Sequence, residues 1–386
     1  MQKIINIGAN TSVDLISESW LADDYDELVF VISKTSSFAL FAEGVALGYL
    51  QDFQLSGKRL FVRLHKSSKK ISLSSIKNCP GNSYLDITNL NVPEILCGIF
   101  GLQLIYKSRG VLEAFSDIDD PIEARKFIGS FIWKVVQSNK GKLGDGKSQY
   151  LISRHDYRIP TVLRGWDALS FPESDVFRSK ISSIIGSIGD EKVSSVDAKT
   201  MVGSWIYHIA ENAFEHGSVD ENENLINGYS GILIQKIATP NEAAIEKRED
   251  LDDASKEYLR HLYKKHDFKN TNTLTVVTVM DCGRGIHNTL PNKYKSYNDE
   301  ERLEYAFKRG VTRHKIGEGR SGYGLFDSIR AARKLNALLV VCSANIYAIK
   351  SFEELIGDDI NFLEKAINLG KLTGSSQSII WPSKSN

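Results

Sequence analysis

The part of this chain that most restricts its fold is residues 274–285. Residues 275–280 are all apolar or Thr, and they run into Asp281-Cys282-Gly283-Arg284-Gly285. An apolar, β-branched run of this length reads as a buried strand. A carboxylate at its end, followed by glycines that let the backbone turn and approach closely, should face a cleft. A carboxylate oxygen is an acceptor that can read an exocyclic amine such as that of adenine. Taken alone, the same pattern also describes a plain strand-to-turn junction with a capping Asp.

A second feature narrows the choice. Val202, Ile206, Ile209 and Ala213 recur at helical spacing and form a narrow apolar stripe on a helix expected from Ser195, its cap, to about Glu215, with Gly217 as its stop. His208, Asn212 and His216 follow at i, i+4 and i+8 and share another face, flanked by Glu211 and Glu215. Downstream, Gly317-Glu318-Gly319-Arg320-Ser321-Gly322-Tyr323-Gly324-Leu325 opens a helix expected over 325–335. Glycines before a helix expose N–H groups to a phosphate, and the helix start favours an anion. Thr373-Gly374-Ser375 precedes a last strand, 377–381, expected to stop at Pro382.

In this order the segments resemble the boxes of the GHKL (histidine-kinase-like) ATPases, over roughly residues 170–382. The resemblance implies a Bergerat-type α/β sandwich, with helices on a mixed sheet, that binds ATP and Mg²⁺. It implies that Asn212 holds the metal, that Asp281 binds adenine, and that Gly283, Gly285 and Ile286 shape the base pocket. Glu215 and His216 would lie toward the phosphates. Residues 306–314 resemble the ATP lid, within a polar stretch at 287–320 expected to order on ATP binding. Thr312, Lys315, Arg313 and Arg320 belong to that phosphate-facing region, and Gly322, Tyr323, Gly324 and Leu325 form the next box. Ser375 stands where the family usually has Thr. One departure concerns catalysis: a Glu is usual one turn before the Asn, and here that position is His208, while Glu211 points about 100° away. His208 and Glu211 are the candidate bases. The expected function is a regulatory or signalling ATPase or protein kinase of bacterial type. The alternative is an ATP-gated interaction module with little turnover.

The rest of the chain gives its organisation. Strands at 28–32 and 60–64 and helices at 38–50, 92–106 and 121–137 suggest a small α/β domain over 1–145, with a faint similarity to STAS-like regulatory domains. The ATP-binding domain is expected over 165–384, with a helix at 176–185 and strands at 231–237 and 338–342. A charged helical insertion at 241–267 is a candidate partner surface. The fold class is therefore α/β (α+β) with two domains. Three further patterns compete. Residues 141–148 satisfy the P-loop spacing, but a strand-like stretch and Pro160 follow where a helix is needed. His155-Asp156-Tyr157-Arg158-Ile159-Pro160 resembles the phospho-acceptor box of histidine kinases, which would make the protein a soluble kinase labelled on His155, yet its flanks lack heptads. Residues 317–322 fit G-x-G-x-x-G without a preceding strand.

Charge and apolar length exclude other classes. Lys+Arg and Asp+Glu both number 48 in 386 residues, so no global field draws nucleic acid, and nucleic acid is not an expected partner. The basic run between Lys58 and Lys70 reads as a solvated face. The longest apolar run, 95–106, is shorter than the ~20 residues that span a bilayer. Residues 1–6 lack the features of a signal peptide, and Cys79, Cys97, Cys282 and Cys342 are scattered without zinc spacing. A cytoplasmic protein is expected, with a protein partner on the N-terminal domain or the 241–267 insertion; homodimerisation is open.

Overall fold

The computed structural model describes residues 1–8, 11–21, 24–32, 41–64, 85–86, 147–152, 171–187, 196–217, 219–220, 222, 224, 230–238, 241–248, 251–264, 273–308, 311, 324–352, 366–369 and 372–383. The chain divides into two units, Met1–Gly144 and Asp145–Asn386. Both combine helices and sheet, so the α/β class holds.

In the first unit β1 (Gln2–Ile7), β2 (Glu27–Ile32) and β3 (Arg59–Leu64) run parallel, and β4 (Leu85–Asp86) joins β3 antiparallel. Parallel neighbours need crossovers, and α1 (Val13–Ser19) and α2 (Ala42–Leu55) lie in the two connections. Ser12 caps α1 by accepting the Leu15 N–H at 3.2 Å. Leu28, Val29 and Phe30 are all buried, as expected of a strand covered on both faces. Trp20 packs on Phe30, with centroids 5.1 Å apart, and Tyr49 and Phe53 of α2 complete the ring cluster. The helix expected at 38–50 starts later, at Ala42, and continues to Leu55. The helices expected at 92–106 and 121–137 lie outside the described residues.

The second unit is built on a seven-stranded sheet in the order β10-β9-β8-β11-β7-β6-β5. The strands are β5 (Lys147–Ile152), β6 (Ser230–Ala238), β7 (Thr273–Asp281), β8 (Leu338–Ser343), β9 (Ile346–Ser351), β10 (Ala366–Asn368) and β11 (Ser375–Ser383). Every pairing is antiparallel, so the mixed sheet expected from sequence is corrected. The unit also begins before residue 165, because β5 pairs along its length with β6. Lys147 and Ser148 of the P-loop-like stretch are in that strand, where a phosphate-binding loop needs the start of a helix. Residues 141–146 and His155 lie outside the described residues.

Alternation along the strands sorts the two faces. Ile232, Ile234, Val277, Val279, Leu339, Val341, Ile379 and Trp381 point to one face. They meet α3 (Ser174–Ser187), α4 (Val196–His216) and α8 (Gly324–Leu335) in one buried cluster. The predicted stripe of α4 is confirmed in Val202, Ile206, Ile209 and Ala213, and widened by Trp205; Ser195, the expected cap, lies outside the described residues. The expected insertion forms α5 (Glu242–Glu246) and α6 (Asp253–Lys264). Tyr258, Leu259 and Leu262 of α6 are buried, and the Tyr258 hydroxyl lies 3.1 Å from the carbonyl oxygens of Asn336 and Ile380. The apolar side of this segment is therefore used within the unit.

Residues 287–308, expected as part of a polar lid, are regular and packed. Short 3₁₀ turns lead to α7 (Asp299–Ala306), whose start is closed by reciprocal bonds between Asn298 and Glu301. Leu303, Ala306 and Phe307 are buried in the cluster under α4. Pro382 does not stop the last strand either: it lies beyond Ile380, where the ladder to β8 has ended and only β7 still pairs.

Candidate functional site

Asp281 closes β7, with Ser230 opposite on β6 and Ser375 opposite on β11. Its Oδ1 accepts the Gly283 N–H at 2.9 Å and its Oδ2 accepts the Ser375 hydroxyl at 2.5 Å. Burial pushes the carboxyl up to about 6, although both of these bonds favour the anion. Three segments meet here backbone to backbone. A Cβ on Gly217, at the end of α4, would lie 2.3 Å from the Ala213 carbonyl oxygen and 2.5 Å from the Asp281 Cβ. One on Gly283 would lie 2.4 Å from the His216 carbonyl oxygen, and one on Gly374 2.3 Å from that of Asp281. Gly217 is the expected helix stop, but the reason for a glycine here is this close approach, since its φ is not among the positive values. Gly285 (φ +88°) and Gly374 (φ +91°) are the residues here that need the left-handed region.

Above this floor opens a cavity of about 110 Å³. Helix α4 contributes Ile209, Asn212, Ala213 and His216 to its wall; Gly285, Ile286, Thr289 and Leu290 form another side. Gly324 and Leu325 enter from the start of α8, and Ser375 and Gln377 from β11. Of the residues expected from sequence, Asn212, His216, Asp281, Gly285, Ile286, Gly324, Leu325 and Ser375 thus surround one cavity. Gly283 lies beneath it, and Glu215 stands beside His216, its Oε2 3.9 Å from the imidazole Nε2. Thr312, Arg313, Lys315, Arg320, Gly322 and Tyr323 lie outside the described residues.

The two candidate bases are not on the cavity wall. His208 lies one turn before Asn212, between two carboxylates: Nε2 is 3.6 Å from the Asp327 Oδ2 and Nδ1 is 3.8 Å from the Glu211 Oε2. Glu211 also accepts the Tyr207 hydroxyl at 3.3 Å. A Cβ on Gly324 would lie 3.2 Å from the His208 Cβ and 3.5 Å from the Asn212 Nδ2, so the start of α8 abuts both residues. Asp327 was missed from sequence, because its i+3 spacing from Gly324 looks like an ordinary first-turn acid.

Gln377 was missed too. It is 1 % exposed, and its Oε1 accepts the Trp205 indole N–H at 3.2 Å and the Ser328 hydroxyl at 3.0 Å. Among the described residues its Nε2 has no partner. The available signal was an amide at the head of the strand run Gln377-Ser378-Ile379-Ile380-Trp381. A second buried polar group, His287, bonds through Nδ1 to the Ser343 hydroxyl at 2.8 Å. Burial pushes its imidazole down to about 4, the Asp299 carboxylate opposing and the Arg302 guanidinium adding to the effect. Burial likewise pushes the Cys342 thiol up to about 12.

No protein-family model matches the chain, and no curated protein matches it significantly. Among the described residues, no helix is long and apolar enough to cross a membrane, and no group of His, Cys, Asp and Glu is placed to hold a metal ion by itself.

Proposed function

We propose that the second unit binds Mg-ATP in the manner of the GHKL, Bergerat-type ATPases. The observation that carries this reading is a carboxylate at the floor of a cavity lined by both apolar and polar side chains, bonded to the hydroxyl of Ser375 on the adjacent strand. With its carboxyl near 6, Asp281 is ionised at neutral pH and accepts an exocyclic amine. Ile209, Ile286 and Leu290 supply apolar surface for the faces of the base. The phosphates then extend past Asn212 and His216 to the start of α8, a twelve-residue helix whose first N–H groups favour an anion.

Mg²⁺ fits this arrangement. It takes hard oxygen ligands, keeps several waters and is commonly held by phosphates plus one or two protein oxygens. The Asn212 amide lines the cavity and makes no hydrogen bond among the described residues, so its carbonyl oxygen would be that ligand. The metal would neutralise phosphate charge. His208, with a carboxylate on each side, is the candidate proton acceptor, and Glu211 its neighbour.

Calorimetric titration of Mg-ATP into the wild type and the Asp281→Asn variant tests the site. Micromolar-range binding that the substitution abolishes is the expected result; no binding to the wild type refutes the reading. A second reading, an ATP-gated interaction module with little turnover, is favoured by the position of His208 and Glu211 off the cavity wall. Steady-state turnover of the wild type separates the two. In either case the reading includes a cytoplasmic protein, a protein partner and the lid-like segment at 306–314 as the responsive element; phosphorylation on His155 is the remaining variant.

A further inference from the structure

The geometry points to Gln377 as a second base-reading group in this cavity, a hydrogen-bond donor set against the acceptor Asp281; this rests on the Mg-ATP reading. The orientation of its amide follows from its partners. The Trp205 indole N–H is a donor only, so the Gln377 oxygen must face it. Ser328 donates to the same oxygen. Trp205 and Ser328 do not line the cavity, whereas Gln377 does. The amide is thus held by its oxygen from behind, and Nε2 lies on its other side with two N–H groups and no partner among the described residues.

A buried donor left unpaired has lost its hydration with nothing in return. Nε2 also presents almost no surface to water, so a ligand that reaches it displaces no hydration there. Gln377 lines the cavity, and with Oε1 held from behind, Nε2 is the part of the amide left to meet a ligand there. Gln377 and Ser375 are alternate residues on one face of β11, and Ser375 is opposite Asp281. Donor and acceptor are therefore one strand step apart along the same wall, Asp281 at the strand end and Gln377 deeper. The ligand class that satisfies both is a purine with an exocyclic amine for Asp281 and a ring nitrogen acceptor for Gln377.

The test is a binding cycle on the full chain. ATP and its 1-deaza, 3-deaza and 7-deaza analogues, each lacking one ring acceptor, are titrated with Mg²⁺ into the wild type, Gln377→Glu and Gln377→Met. Gln377→Glu keeps an oxygen for Trp205 and Ser328 while turning the donor into an acceptor; Gln377→Met removes the donor with little change in volume and serves if the acid does not fold. In the wild type one analogue should bind about tenfold more weakly than ATP. In a folded variant ATP should lose at least tenfold, and that analogue should no longer be disfavoured. ATP binding that Asp281→Asn abolishes but both Gln377 variants leave within about twofold overturns this inference alone. So does an analogue pattern that is identical in wild type and variants. Failure of the wild type to bind ATP overturns the Mg-ATP reading and this inference together.

Discussion

Asp281→Asn should make the protein more stable near neutral pH while abolishing the proposed Mg-ATP binding. In the folded chain burial raises this carboxyl from 3.8 to about 6. Because the folded value lies above the unfolded one, the group favours the fold most below pH 3.8, and that contribution is lost as pH rises through about 6. At about 1.4 kcal/mol per pH unit, the loss is at most about 3 kcal/mol at pH 7.5. The side chain is only half-buried and open to the cavity, and solvent screening brings this to about 1 to 2 kcal/mol. Asn removes the charge and keeps the two stronger bonds, losing at most the weaker contact from the Ser375 backbone N–H: Oδ1 still accepts the Gly283 N–H, and the amide nitrogen donates to the Ser375 hydroxyl. For a unit of this size, that corresponds to a rise of about 2 to 8 °C in Tm at pH 7.5 and little change at pH 4. Thermal unfolding by circular dichroism at the two pH values measures it. A variant melting at or below the wild type at pH 7.5 refutes the argument that enclosing Asp281 costs stability.

Three further outcomes follow from named contacts. Gly217→Ala forces a methyl into the Ala213 carbonyl and Asp281 side chain and should destabilise by about 2 kcal/mol or more in urea unfolding, whereas neutrality would place the α4 end farther from β7 than described. His287, 1 % exposed, has its folded pKa lowered to about 4, so its contribution is complete above pH 6.5 and falls away as pH drops through about 4; His287→Gln should flatten the acid side of the stability profile by up to about 3 kcal/mol, and an unchanged profile would refute this. His208→Ala should abolish ATP turnover with binding kept within about threefold if the imidazole is the base, and full turnover in this variant would eliminate that role.

The elements legible in sequence were those whose side chains form an apolar run or repeat a period. Residues 274–280 form an unbroken apolar or Thr run buried on both faces, and α4 shows its stripe, so strand, helix and the position of Asp281 were all readable. The hairpin from β8 to β9 was not. Ala344, at its turn, has φ +46° without being glycine, and Asn345 beside it is the one weak turn signal in an otherwise apolar run; the Ala344 N–H is held by the Gly374 carbonyl at 2.9 Å, a contact from far along the chain. Helix α7 was hidden because only Leu303, Ala306 and Phe307 face inward in a polar stretch. Gln377 was hidden for the opposite reason: its partners Trp205 and Ser328 come from two different helices, and nothing local records them.

The strand that carries Ser375 and Gln377 has a consequence for assembly. β11 follows the other six strands in sequence, yet it lies between β8 and β7, joining β10-β9-β8 to β7-β6-β5. Until it is made, each half-sheet has an open edge, and the wall of the cavity formed by Ser375 and Gln377 does not exist. Such non-local closure is slow, and open edges invite pairing with other chains. Chains in which β11 is weakened should therefore accumulate as two unjoined halves that aggregate, rather than as a folded protein with an impaired site.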